Sequence, residues 1–423
     1  MSIKRAINLC FSAFILAFAL ASVSAGQKPS GTPRQEKLLN GLKVLVWNVP
    51  AAEKVSLRLR IHAGAAFDPQ EKEGVMKLLS ESFFPNADSR NFFREELDGS
   101  LELICNYDYI QINATGKGSE FLTLLETVAQ AVSNPDLSKE AAAALKKSLT
   151  ATLSELEKDP GYAADLAAAK RLFGTFPYGR AEFGTLASLE KIDHADLRFA
   201  RERLLTADNA TLAISGNVDP ALVFRAARRY FGSWLKSDKS VPSTFRQPDP
   251  PPAEAGMINS SSGSGPALIR LATRGVTKND VDLAAADILA QILENRLRLK
   301  RPESQSFVRN ESHVLPGVFI IGLSVSAAPG PEKDAMRIPI LSELLANDIT
   351  AEEFNSARSA VAARWQQRDT ADLWLDFDTY KMTPSKNNYL NLDGLAPADV
   401  QRLAARIKSQ PAATVFYFVP PAA

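Results

Sequence analysis

Lys77, Ser80 and Glu81 share one short stretch, GVMKLLSESFF at residues 74–84, on a segment with a clear period. Val75, Leu78, Leu79 and Phe83 recur at three- and four-residue intervals, which predicts a helix with one buried face. On such a helix, two histidines four apart with a glutamate beside one of them would hold zinc and take a proton from water. This helix instead offers a lysine ammonium, which has no lone pair at neutral pH and repels a dication. It also offers a serine hydroxyl, too weak a base to activate water. Lys77 and Glu81 stand four residues apart and can form an ion pair worth about 0.2–0.5 kcal/mol where exposed.

Other reactive side chains are scattered. His62, His194 and His313 fall at the end of a strand, in a polar turn before a helix and near the start of another strand, without metal-ligand spacing. Structural roles are expected for all three. The serine run SSSGSGP at 260–266 lacks the glycine spacing of a nucleophile elbow and reads as a loop. Gly116 and Gly118 are too few for a phosphate-binding loop and suit a strand-to-helix turn. Cys105 lies in an alternating strand and is expected in the core.

The elements that must position these residues come in two sets. VSLRLRI and ALIRLAT are alternating strands, each leading to a loop and a helix, about 210 residues apart. LELICNYDYIQINA and GVFIIGLSVSA follow, each read as a strand before a leucine-rich helix. Ser138 and Thr350 are cap residues ahead of long helices, and NATLAISG and AATVFYFV are buried strands. Strands and helices mix without a strict βαβ rhythm. The expected fold is therefore α+β, with two homologous domains, each a mostly antiparallel sheet with helices packed on one face. The domains are read as 36–235 and 257–421, joined by a proline-rich linker over 236–256.

The 423 residues carry a net charge of +1, with 45% hydrophobic and 23% charged residues, a balance that suits a globular protein and not a nucleic-acid binder. Lys4 and Arg5 precede an apolar run from Ala6 to Val23, and small residues at Val23 and Ala25 predict a signal peptide over 1–25, cleaved before Gly26. A retained anchor is the rival reading of that run. Cys10 lies within it, so the processed chain keeps Cys105 alone and forms no intrachain disulfide. No later segment is apolar enough to span a bilayer.

Taken together, LLNGLKVLVWNVP, AGAAFDPQEKEGVMKLLSESFF and the stretch from LFGTFPYGRAEFGT to LAISGNVD over 172–219 resemble the insulinase-like M16 peptidase family. Phe176 to Gly179, Gly184-Thr185 and Asn209 to Asp219 carry the likeness most clearly, and it extends over nearly all of the chain beyond the leader. The resemblance implies a His-x-x-Glu-His motif, whose positions fall on Lys77, Ser80 and Glu81. The further zinc-ligating glutamate would be sought at Glu155 or Glu157. It also implies an arginine and a tyrosine in the second domain that hold the substrate backbone near the zinc. Arg301 and Phe307 stand at those places in NRLRLKRPESQSFVRN, with Arg296, Arg298 and Arg309 close by, and a basic solvated face is the other reading of this stretch. Phenylalanine for tyrosine removes one hydrogen-bond donor.

What the resemblance implies, then, is a peptidase scaffold that binds no zinc of its own. The expected role is the non-catalytic subunit of an exported zinc peptidase complex, periplasmic or secreted, lending chamber wall and substrate binding to a catalytic M16 zinc peptidase subunit. The alternative is a stand-alone peptide-binding or chaperone-like envelope protein that pairs a sheet edge with an extended peptide. An active peptidase with displaced ligands is a third reading, opposed by the small number of histidines.

Overall fold

The computed structural model describes residues 31–237, 248–259, 266–325, 340–382, 392 and 394–418. The expected signal peptide and most of the serine loop lie outside the described residues.

The first half opens with strands β1 (Arg34–Lys37), β2 (Lys43–Asn48) and β3 (Lys54–Ile61). Helices α1 (Val75–Ser82) and α2 (Ala87–Glu95) precede the hairpin β4 (Ser100–Cys105) and β5 (Ile110–Lys117). Then come α3 (Phe121–Ser133), α4 (Lys139–Leu156), α5 (Pro160–Phe173), α6 (Leu186–Lys191) and α7 (His194–Leu204). Strand β6 (Ala210–Gly216) and helix α8 (Pro220–Phe231) close this half. The second half runs β7 (Gly256–Asn259), β8 (Ala267–Arg274), α9 (Leu283–Lys300), β9 (Ser306–Glu311) and β10 (Val318–Val325). It ends with α10 (Ile340–Leu344), α11 (Ala351–Gln366), α12 (Thr370–Tyr380), α13 (Pro397–Ser409) and β11 (Ala413–Phe418).

The sheets are ordered β1-β2-β6-β3-β5-β4 and β7-β11-β8-β10-β9. With β1 set aside, the two orders correspond strand for strand. In each, one pair is parallel, β2 with β6 and β7 with β11, and the rest are antiparallel. This is the expected α+β fold with a repeated unit. One detail differs: LELICNYDYIQINA is a complete hairpin, since the NYDY turn lets β4 fold back on β5, so the strand and helix read there are two strands and a helix.

Alternation sends Val55, Leu57, Leu59 and Ile61 of β3 into the core beneath the helices of the first half. Ile269, Phe319, Ile321 and Phe416 do the same in the second. The opposite faces are not left to solvent. Helix α5, from the first half of the chain, packs on β8 and β11, and α12, from the second half, packs on β6 and β3. Each half thus lends a helix to the other's sheet. Both start at an aspartate cap: Asp159 accepts from the Gly161 N–H at 2.7 Å and Asp369 from the Ala371 N–H at 2.7 Å. The described part of the linker is held down as well, because Arg274 donates to the carbonyls of Pro248 and Asp249 at 2.6 and 2.8 Å. None of the helices in the described residues is long and apolar enough to cross a membrane.

Candidate functional site

Helix α1 begins where the chain turns through Gly74, at φ 106°, a conformation that disfavours any residue with a Cβ. The buried Asp68 carboxylate accepts the Gly74 and Met76 N–H groups at 2.7 and 2.8 Å and so satisfies the helix start. Burial nevertheless pushes Asp68 up to about 7.

From this start, Lys77, Ser80 and Glu81 come together as spaced. The Lys77 ammonium donates to Glu81 Oε1 at 2.6 Å and lies 5.4 Å from the centre of the Phe183 ring. Arg90 from α2 holds the other oxygen of Glu81. Burial opposes ionisation of Glu81, but Lys77 and Arg90 outweigh it and hold the carboxyl below its ordinary range. Ser80 is fully buried and spends its hydroxyl on the Lys77 carbonyl at 2.8 Å. Of these three side chains, one is a cation, one a hydroxyl already donated, and one a carboxylate neutralised by two cations. That donor set does not fit a zinc ion. Glu155 and Glu157 lie at the exposed C-terminal end of α4, where Glu155 pairs with Lys158 at 2.7 Å and Glu157 accepts the Leu186 N–H at 3.2 Å. Among the described residues, no three His, Cys, Asp or Glu side chains are grouped to hold a metal. Burial, with Asp68 and Glu182 nearby, pushes the Cys105 thiol well up, so this core residue stays protonated.

The three histidines stand apart. His62 hydrogen-bonds Thr379 and Thr211 at 3.1 and 3.0 Å, and burial holds it neutral. His194 opens α7. His313 donates to Asp108 at 2.9 Å.

Arg301 and Phe307 occupy different surroundings. Arg301 follows the end of α9 and pairs with Glu343 of α10 at 3.3 Å. Phe307 lies on β9, across Gly322, with the guanidinium groups of Arg270 and Arg309 4.9 and 4.3 Å from its ring centre. A Cβ on residue 322 would come within 2.2 Å of that ring, so glycine makes room for it. Arg296 is fully engaged by Glu353, at 2.6 and 2.8 Å, and by the carbonyl of Leu344. Arg298 pairs with Glu294 on an exposed face.

One cluster was missed by sequence reasoning. The buried Asp108, in the β4–β5 turn, accepts from His313, from the Tyr178 and Tyr380 hydroxyls at 3.2 and 3.3 Å, and from the Val314 N–H at 3.2 Å. Beside it, burial raises Glu182 to about 7 against a favourable His313. These partners lie between 70 and 272 residues from Asp108, so no spacing rule could assemble them. The only hint was an aspartate between two tyrosines in a turn. The cluster joins the two halves of the chain as a buried polar seam.

Comparison with known proteins fits this arrangement. A family model described as the peptidase M16 inactive domain matches residues 191–361, from the end of α6 into α11. A curated "uncharacterized zinc protease" of Rickettsia bellii is 24% identical over 212 residues, covering 48% of this chain and 51% of that protein. The chain thus spans about half the length of the curated relatives it matches. The crystal structure of a peptidase M16 inactive domain from Pseudomonas fluorescens superposes with a TM-score of 0.80 at 21% identity, covering 93% of this chain and 99% of that one. The periplasmic protease PqqL of Escherichia coli gives 0.71 at 14% identity, over 93% of this chain and 48% of that chain. At such identities the structural likeness shows the fold alone; together with the match to the peptidase M16 inactive domain over residues 191–361 it supports an M16-like chain, in which the positions that the resemblance assigns to His-x-x-Glu-His hold Lys77, Ser80 and Glu81.

Proposed function

We propose that this chain is the non-catalytic subunit of an exported M16-type zinc metallopeptidase complex, and that it supplies chamber wall and peptide binding to a zinc-carrying partner. The observation that carries the reading is a whole M16 fold whose motif helix is closed by the Lys77–Glu81–Arg90 network instead of open to a metal. A subunit without chemistry still contributes to a reaction when it encloses the peptide, orders it and excludes water. Arg301 has N–H donors beyond the one directed at Glu343 and is the residue proposed to hold a substrate carbonyl.

The test is reconstitution with a zinc-carrying M16 subunit. The chain alone is expected to hold under about a tenth of an equivalent of zinc and to hydrolyse no peptide, since a catalytic site needs three protein ligands. The pair is expected to be more active than the partner alone. Arg301→Ala should leave assembly intact by gel filtration and lower kcat/KM of the pair by about ten- to a hundredfold, or about 1.4–2.7 kcal/mol. Chelator-sensitive hydrolysis by the isolated chain would overturn the reading.

A further inference from the structure

We infer that the outer edge of the first sheet, built from β1, the β1–β2 turn and the end of α8, is a docking surface for an anionic phospholipid bilayer. Three ties make it one patch. Arg228 of α8 pairs with Glu36 of β1 at 3.2 Å, and the Asn40 side chain donates to the carbonyls of Phe231 and Trp234 at 2.7 and 3.3 Å. These bonds set the turn Leu38–Gly41 against the last turn of α8. Leu39 at the turn's tip is fully exposed, at 103%, and Leu235 beside it is exposed at 44%.

The charge around these leucines is mainly positive. Arg225 and Arg229 are exposed on α8, Lys236 follows Leu235, and Lys37 is exposed on β1. None of the four makes an ion pair among the described residues. Of the nearby carboxylates, Glu36 is paired with Arg228, while Asp208 accepts the Ser237 N–H at 3.0 Å and keeps its negative charge. Unpaired cations around protruding leucines match headgroup phosphates with acyl chains beneath them. A protein partner is the poorer match, because its anchors need a pocket packed around them, whereas a bilayer accepts a side chain that stands out alone. The position also suits attachment. Strand β1 is the edge opposite β4, the edge strand beside α1, so docking there leaves the Lys77 side of the molecule open.

The experiment is co-sedimentation of the protein, purified in the form the cell accumulates, with vesicles of phosphatidylglycerol and phosphatidylcholine or of phosphatidylcholine alone. Every variant shares one N-terminus, so differences between variants read the patch. The wild type should bind the anionic vesicles more tightly and lose the excess in high salt. Arg225→Gln, Arg229→Gln and Lys236→Gln together should lower anionic partitioning by about ten- to a hundredfold. Leu39→Ser, a change at an exposed turn that should not disturb folding, is expected to lower it several-fold. Lys147→Gln, on the exposed face of α4, should change nothing. Equal binding to both vesicle types, or wild-type binding by the triple and Leu39 variants, overturns the inference. So does soluble polyglutamate that competes fully with the vesicles, which would assign the patch to an acidic protein.

Discussion

Helices α5 and α12 hold equivalent positions in the repeat, each lent to the opposite sheet, yet they are held by different means. Helix α12 meets a polar face. Arg60, with its side chain 2% exposed, pairs with Asp376 at 2.7 Å and donates to Gln111 at 2.5 Å, while Arg58 pairs with Asp369 and Asp372 at 2.9 and 3.2 Å. Ala371, Trp374 and Leu375 add an apolar contact, against Leu45, Trp47, Val49 and Ala213. Helix α5 meets an apolar face. Its Ala168, Leu172 and Phe173 pack with Ala272, Val415 and the Phe176–Tyr178 aromatics, and one acid, Asp165, bridges Arg270 and Arg309. The same topology is therefore compatible with two chemistries. Small side chains let α5 approach its sheet closely, whereas α12 is oriented by directional, charged hydrogen bonds.

The difference can be broken at its strongest point. Asp376→Ala leaves the Arg60 guanidinium buried without its closest carboxylate, and should cost about 3–5 kcal/mol in urea unfolding. Asp165→Ala is expected to cost less, because this acid is 30% exposed against 17% for Asp376. Equal losses would mean that the two interfaces are electrostatically alike after all. The apolar side has its own probe. Ala168→Leu forces a larger side chain between α5 and β8, at a cost of about 1–3 kcal/mol by overpacking. A thermal midpoint unchanged from the wild type would show slack that the close contact does not suggest.

The seam between the halves gives a smaller, pH-dependent effect. Burial raises the Glu182 carboxyl from its ordinary 4.5 to about 7, close to His313, Glu311, Asp108 and Tyr107. Its folded pKa lies above the unfolded one. The stability it contributes is therefore complete below about pH 4.5 and is lost as pH rises through about 7. Glu182→Gln should remove that decline, on the order of 1–2 kcal/mol between pH 5 and 8. Denaturant midpoints that fall equally with pH in both proteins would exclude Glu182 as the source. The smallest effect is expected on the motif helix. Lys77→Ala removes one partner of an ion pair at 2.6 Å, but Arg90 still holds Glu81, so the loss should be about 0.2–0.5 kcal/mol. A loss several times larger would give Lys77 a structural role beyond that pair.

Much of this molecule was determined by local sequence. The period of GVMKLLSESFF sets α1 and places Lys77 one turn from Glu81, and their ion pair follows from that spacing alone. Alternation in VSLRLRI places Leu57 and Leu59 on one face of β3 and Arg58 and Arg60 on the other, and the repeat of about 210 residues anticipates two sheets of like order. What alternation could not say is that the arginine face is buried. A strand pattern distinguishes two faces, but what covers the second depends on helix α12, more than 300 residues away in the chain. The Asp108 cluster is the same case, four donors from three distant segments meeting at one carboxylate. The separation of Arg301 from Phe307 is a third. They are six residues apart, but a helix ends at one and an edge strand carries the other, so they take different partners. Short-range periodicity is dictated by backbone geometry and is legible in a single chain. Burial of polar groups depends on which distant surfaces meet, and only the packed structure decides that.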